Sequence, residues 1–257
     1  MSTEKLFRRI KKQAGQAIGD FGLIAAGDRI AVGVSGGKDS YTLLYLLEEL
    51  RKRAPVSFEL IAVNVDSGFP GYRPEIIEDY LQAQNFQYRM KKTRCYQIIE
   101  AKRRPGSSYC SFCARLRRGV LYTLAQELGC NKIALGHHLD DFIETLLLNQ
   151  FYGGTLAAMS PKLLADNGQT TLIRPLVYVE ESDIIQFSRQ HAFPLICCAC
   201  PVCGTLDQQR QKMKQLIHTL ALDIPHIRRS MLAALGNIQP RHLLSRGQRL
   251  DNPPSSP

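Results

Sequence analysis

No apolar run in the chain approaches the roughly 18 residues needed to cross a bilayer, because charge or glycine interrupts each one. Met1 to Asp20 also lacks the apolar core of a secretory signal. These two absences argue against a membrane span and against export, so the expected location is the cytoplasm. Internal repeats are absent as well. So is a Walker A loop: the spacing G-x-x-x-x-G-K-S/T occurs nowhere, and any phosphate site must be built another way. Acidic residues are the minority charge, 23 Asp and Glu against 33 Lys and Arg, which leaves a formal net charge of +10. That balance favours a polyanionic partner, nucleic acid first, over the alternative of a merely solvated basic surface. With 257 residues, 44% of them hydrophobic, the chain can bury one sizeable α/β core and carry a small appendage.

What the chain does contain is organised around Ser35-Gly36-Gly37-Lys38-Asp39-Ser40. The stretch lies between a predicted buried strand, Arg29 to Val34, and a predicted helix, Tyr41 to Lys52. Two successive glycines let the backbone turn tightly, so amide N–H groups and the helix N-terminus can face an anion. Ser35 and Ser40 add hydroxyl donors and Lys38 a point charge. Asp39 can cap the helix or hold a metal ion beside the phosphates. The alternative is an ordinary strand-to-helix turn, since Gly-Gly and Asp-Ser are also common turn residues.

Around this loop, strands alternate with helical stretches, as βαβ units and a parallel sheet require. Residues 5–18 form a basic amphipathic helix with Leu6, Ile10, Ala14 and Ala17 on one face. Strands are expected at Phe58 to Val65, Phe86 to Lys91, Lys132 to Leu135 and Thr170 to Tyr178. Further helices are expected at Ile76 to Gln84, Leu116 to Leu128, Glu180 to His191, Asp207 to Leu220 and Ile227 to Leu235. A loop with a turn is expected at Lys162 to Gly168. Strand ends at the carboxyl edge of such a sheet are where nucleotides bind. Val63, Asn64 and Asp66 occupy one such edge, and Gly136-His137-His138-Leu139-Asp140-Asp141 another. Turn formation for the first group and helix capping by the Asp pair are the competing readings. The expected division is a basic N-terminal helix over residues 1–25 and a domain over 26–195 that carries the phosphate loop. A cysteine cluster with C-terminal helices over 196–245 and a mobile tail over 246–257 complete it.

Six of the eight cysteines fall in two clusters, Cys110 and Cys113, then Cys197, Cys198, Cys200 and Cys203. In a cytosolic chain such pairs point to metal binding or catalysis rather than disulfides. A Cys₄ zinc site and an iron-sulfur cluster both use the C-x-x-C spacing. Cys95 and Cys130 stand apart and read as buried structural thiols.

SGGKDS resembles the PP-loop of the ATP pyrophosphatase superfamily, and GHHLDD resembles its second motif, G-H-x-x-D-D. Cys110 to Gly119 (CSFCARLRRG) is similar to the C-x-x-C-x-R-L-R-R-G signature of the tRNA 2-thiocytidine synthetase family. The likeness continues through Leu135 to Asp141, Asn149 to Gly154, Arg174-Pro-Leu, Phe193-Pro and Gln209-Arg-Gln211. It implies an α/β fold with a doubly wound, mostly parallel sheet and helices on both faces. The implied activity is adenylylation of O2 of a cytidine in the tRNA anticodon loop, position 32. Sulfur carried by an iron-sulfur cluster then replaces that oxygen, giving 2-thiocytidine, AMP and pyrophosphate. ATP would contact Ser35, Gly36, Gly37, Lys38, Asp39, Ser40, Val63, Asn64, Asp66, Gly136 and His137. Catalysis would rest on Lys38, Asp39, Asp140 and Asp141, the last two helping to position Mg2+ and the triphosphate. A 4Fe-4S cluster would take Cys110, Cys113 and a third cysteine from the second group. Aligning Cys200-Pro-Val-Cys203-Gly with the family's C-x-x-C-G selects Cys200, with Cys203 and Cys198 as alternatives. Arg115, Arg117 and Arg118 would hold tRNA. A cysteine desulfurase or another sulfide donor is the implied partner, and a homodimer is allowed for. The competing functions are a PP-loop thiolase for another tRNA base, a lysidine-type ligase, and a non-catalytic zinc-stabilised RNA-binding module.

Overall fold

The run Ile30-Ala31-Val32 is buried on both faces, which a central strand with helices above and below satisfies. The computed structural model describes residues 2–103, 109–165, 168–197, 199–200 and 208–244, and of Cys110 and Ser111 the backbone alone. Within it, β1 (Arg29–Gly33), β2 (Glu59–Asp66), β3 (Tyr88–Lys92), β4 (Lys132–Ala134), β5 (Lys162–Leu164) and β6 (Thr171–Ile173) form one sheet. The strand order is β3-β2-β1-β4-β6-β5, and every pair is parallel except β5 with β6.

Side chains alternate across the sheet as the period of two demands. Ile30, Val32, Leu60, Ala62, Ala134 and Ile173 join one apolar cluster. Ala31, Ile61, Val63, Ile133 and Leu172 join the other. The first is closed by α1 (Thr3–Asp20), α2 (Lys38–Arg51), α3 (Pro74–Ala83) and α7 (Glu181–His191). The second is closed by α5 (Tyr109–Glu127) through Leu124 and Ala125. The fold is therefore the expected α/β sheet, mostly parallel and covered on both faces.

Amphipathic spacing fixes how the outer helices lie. Leu6, Ile10, Ala14 and Ala17 of α1 are fully buried, and an ion pair from Arg9 to Asp183 ties this helix to α7. Farther on, α6 (Leu139–Gly153) puts Leu139, Ile143 and Leu147 against Met213 and Ile217 of α8 (Gln208–Asp223). The last helix, α9 (Ile227–Ala234), adds Met231 and Leu232 to the same cluster. Cys95 and Cys130 are buried, as the sequence suggested. Among the described residues no helix is long and apolar enough to cross a membrane.

Two local expectations are corrected, and one element is added. Lys162–Leu164 is a strand rather than loop; it is an exposed edge strand, so no apolar alternation announces it. Cys95–Lys102, for which the sequence offered no element, is a helix, α4; Cys95 and Ile99 are its buried residues, and Tyr96 packs beside Phe69. Finally, α5 begins at Tyr109 rather than Leu116, which brings the first C-x-x-C onto the helix.

The connections place the site. From β1 the chain moves outward to β2 and β3, then returns to lay β4 on the other side of β1. The strand order thus reverses between β1 and β4, and the crevice outside their carboxyl ends is where an open α/β sheet binds a ligand.

Candidate active site

The loop after β1 is held in shape by its own hydroxyls. Ser40 Oγ donates to the Gly37 carbonyl at 2.9 Å and accepts from the Ser35 N–H at 3.2 Å. Gly36 has φ +84°, a conformation that glycine adopts without strain. Its carbonyl accepts the N–H of Ile196 at 3.0 Å, and a Cβ there would run into the Ile196 side chain. Gly136, at the end of β4, is constrained differently: a Cβ would stand 2.9 Å from the Asp39 carbonyl carbon and 3.0 Å from its oxygen. The GHHLDD edge is thereby pressed against the first turn of α2, backbone on backbone.

Between these two edges lies a cleft of about 290 Å³. Ser35, Asp39, Ser40, Val63, Gly136, His137 and Asp141 line it, with Val65, Arg117 and Leu121. A second cavity of about 440 Å³ adjoins it, sharing Ser35, Val65 and Arg117 as common wall. Its own lining includes Phe69, Tyr72, Tyr109, Cys113, Cys197 and Cys200. Cys113 and Cys200 also belong to one apolar cluster with Phe69, Ile99 and Tyr109. The structure thus brings part of the first cysteine group and part of the second to one cavity beside the phosphate loop.

Other expected site residues stand elsewhere. Asn64 is buried, and its amide donates to the Val34 carbonyl at 2.7 Å and to Tyr72 Oη at 2.8 Å, tying β2 to the phosphate loop. Asp66 accepts the Gly68 N–H at 2.7 Å in a turn. The two neighbouring aspartates divide their work. Asp141 lines the cleft, and its Oδ2 accepts the His138 N–H at 3.0 Å. Asp140 is buried; its Oδ2 accepts the Glu181 N–H at 2.7 Å and its Oδ1 accepts from Arg228 at 3.0 Å, fastening α7 and α9 to α6. Arg115 and Arg118 are exposed and Arg117 half-buried. The side chain of Cys110, together with Cys198, Cys203 and the tail at 246–257, lies outside the described residues.

Lys38 is engaged rather than open to the cleft. Its ammonium lies 3.0 Å from Asp39 and 3.1 Å from Glu181. Burial works against this charge, but the two carboxylates outweigh it and hold Lys38 above the ordinary lysine range. Glu181 also pairs with Lys214 of α8; burial pushes its carboxyl up, and the two lysines bring it below its usual value. In the sequence Glu181 is only a residue at the start of the helix expected at Glu180 to His191, because its lysine partners come from distant helices.

His137 is a neutral imidazole. Burial first and the Arg174 charge second push it down to about 4. Arg174 Nε donates to His137 Nδ1 at 3.2 Å, so the ring proton resides on Nε2. His138 lies deeper, its Nε2 3.6 Å from Asp39 and 3.5 Å from Asp141 and its Nδ1 3.8 Å from Asp140, so three carboxylates surround one ring.

The donors suit the groups a nucleotide-dependent thiolation needs. Asp39 and Asp141 on one wall are hard oxygen ligands of the kind Mg2+ takes beside a triphosphate. Cysteine sulfurs in an apolar cavity are the donors iron-sulfur clusters take. Among the described residues no three His, Cys, Asp or Glu side chains already gather as a metal site.

Comparison with known proteins agrees with this geometry. Residues 4–196 match the PP-loop domain. A protein from Geobacter sulfurreducens named tRNA-cytidine(32) 2-sulfurtransferase is 65% identical over 238 residues, 93% of each chain. A protein of the same name from Syntrophotalea carbinolica is 67% identical over 241 residues, 94% of this chain and 93% of that one. Among solved structures, the U34-tRNA thiolase NcsA from Methanococcus maripaludis with its 4Fe-4S cluster superposes with a TM-score of 0.76. That match covers 94% of this chain and 81% of the thiolase at 22% identity, and speaks to fold. With a phosphate loop and a cysteine cavity meeting at one sheet edge, and identity at this level along nearly the whole length, the chain belongs to the PP-loop family of tRNA-cytidine(32) 2-sulfurtransferases.

Proposed function

We propose that the chain converts cytidine 32 of tRNA to 2-thiocytidine in two steps at the paired cavities. In the first, O2 of the cytidine attacks the α-phosphorus of ATP, and the bond to the β-phosphate oxygen breaks with its electron pair leaving on pyrophosphate. In the second, hydrosulfide adds at C2 and the C2–O2 bond breaks, AMP leaving with that pair; the hydrosulfide proton passes to pyrophosphate or solvent. Sulfur enters and leaves at the same oxidation level, so no electrons are exchanged.

The observation that carries this reading is the common wall of Ser35, Val65 and Arg117 between the cleft and the cysteine cavity. An activated base lodged at that boundary is within reach of both the phosphates and a sulfur held by cysteine. A 4Fe-4S cluster on Cys110, Cys113 and Cys200 would supply an iron able to bind sulfide, the fourth position being free of protein ligand. The chain's own groups do the rest. Amides of the Ser35–Ser40 loop and the N-terminus of α2 face the departing pyrophosphate. Lys38 would exchange its carboxylate partners for phosphate oxygens, and Asp39 and Asp141 would hold Mg2+. The Nε2–H of neutral His137 offers a hydrogen bond to a phosphate oxygen. Exposed Arg115 and Arg118 beside the cavity would hold the tRNA backbone while an unstacked loop base enters. We place this activity in the cytoplasm, with sulfide delivered by a cysteine desulfurase or another sulfide donor.

The test is anaerobic reconstitution with iron, sulfide, ATP and tRNA, followed by pyrophosphate assay and mass spectrometry of the nucleosides. Wild-type protein should release pyrophosphate only with tRNA present and yield 2-thiocytidine, while Lys38→Ala and Asp39→Ala should do neither although folded. Zinc without iron, and no pyrophosphate from ATP with tRNA, would instead support a zinc-stabilised RNA-binding module.

A further inference from the structure

Arg117 occupies the junction of the two cavities, and its position follows from helix periodicity. Cys113, Arg117 and Leu121 recur every four residues along α5, so they share one face. Cys113 lines the cysteine cavity, Leu121 lines the nucleotide cleft, and Arg117 between them lines both. Arg115 and Arg118, rotated onto other faces, are exposed.

Charge singles out the same residue. Among the described residues lining either cavity, Arg117 is the only lysine or arginine. The lysine of the phosphate loop is on neither wall, being paired with Asp39 and Glu181. His137 in the same cleft is held neutral by burial and by Arg174. The cleft's remaining ionisable side chains, Asp39 and Asp141, are carboxyl groups and bring no positive charge. A nucleotide phosphate entering there needs a cation, and the one on the wall stands on the side toward the cysteines.

The α-phosphate is the phosphate that must lie at this junction. It alone is bonded to adenosine and to the cytidine oxygen in the adenylylated base, and it departs as AMP when sulfur attacks. Both steps concentrate negative charge on its non-bridging oxygens. A guanidinium is planar, permanently charged and able to donate two parallel hydrogen bonds to a phosphate. We infer that Arg117 is a catalytic residue that grips the α-phosphate during both adenylylation of the cytidine and expulsion of AMP. This assignment rests on the proposed function.

Arg117→Lys and Arg117→Gln, purified anaerobically, would be compared with wild type for thermal unfolding, iron content, tRNA affinity and single-turnover pyrophosphate release at saturating tRNA. The expected result is unchanged folding and iron content, tRNA affinity within about twofold, and pyrophosphate release slowed roughly 10²- to 10³-fold, the scale of losing one charge-stabilising donor. The preference of wild type between the two α-phosphorothioate diastereomers of ATP should shrink in both variants, a readout that a packing role would not move. Normal pyrophosphate release at saturating tRNA, with weaker binding and a shallower salt dependence, would overturn the inference and make Arg117 a backbone contact of tRNA. Normal chemistry and normal binding would overturn it too. Failure of wild-type protein to release pyrophosphate with tRNA would sink the thiolation reading itself, a result separable from any effect at Arg117.

Discussion

The N–H of Ile196 donates to the carbonyl oxygen of Gly36 across 3.0 Å, so the segment carrying Cys197 and Cys200 hangs directly on the phosphate loop. Gly36 is also the loop residue at positive φ, and its missing Cβ leaves room for the Ile196 side chain. A Gly36→Ala change therefore meets two obstacles at once. Backbone strain of about 1 kcal/mol accompanies the left-handed conformation, and the methyl group pushes on Ile196. The expected outcome is coupled loss of tRNA-dependent pyrophosphate release and of bound iron. Normal iron content in a variant dead toward ATP would show that the two segments are not mechanically joined.

Gly136→Ala tests the opposite edge. Its Cβ would meet main-chain atoms of Asp39, which have no rotamer to give, so β4 and α2 must separate by some tenths of an ångström. We expect destabilisation of roughly 1–3 kcal/mol, as for other overpacked sites, together with weaker ATP binding. Calorimetric titration and a denaturant melt measure both. Unaltered ATP affinity would mean that the cleft tolerates the shift.

The half-buried His137 makes stability depend on pH. Its folded value, about 4, lies below its ordinary 6.5. Between these values the unfolded chain takes up a proton that the folded chain does not, so stability falls as pH drops from 6.5 toward 4. The loss approaches at most about 3 kcal/mol. His137→Gln should flatten this slope in urea titrations at pH 4 to 7. A slope identical to wild type would assign the pH dependence to other groups.

Cysteine variants separate ligands from structural thiols. Cys113→Ala and Cys200→Ala should lose iron, its visible absorption and 2-thiocytidine formation together. Cys95→Ala and Cys130→Ala, buried and not among the residues lining the cavity, should keep all three at some cost in stability. Cys197 lines the cavity but is exposed. Retention of iron in Cys200→Ala with its loss in Cys197→Ala would move the third ligand.

The sequence by itself determined the parts whose information is local. A strand-glycine-glycine-lysine-helix order specifies the phosphate loop because amide direction and helix start depend on neighbouring residues. Continuous apolar runs specified the buried strands, since burial on two faces needs unbroken apolar composition. The weakly apolar α4 and the exposed edge strand β5 stayed hidden for the same reason: neither carries such a run. Tertiary structure alone decided which charges meet. That Lys38 rests on Glu181, that Arg174 fixes the tautomer of His137, and that Asp140 fastens α7 and α9 while Asp141 faces the cleft all depend on helices far apart in the chain. The division among three neighbouring arginines was likewise settled by packing. Helix rotation spreads Arg115, Arg117 and Arg118 over different faces, and only the docking of α5 on the sheet determines that the face of Arg117 lies between the nucleotide cleft and the cysteines.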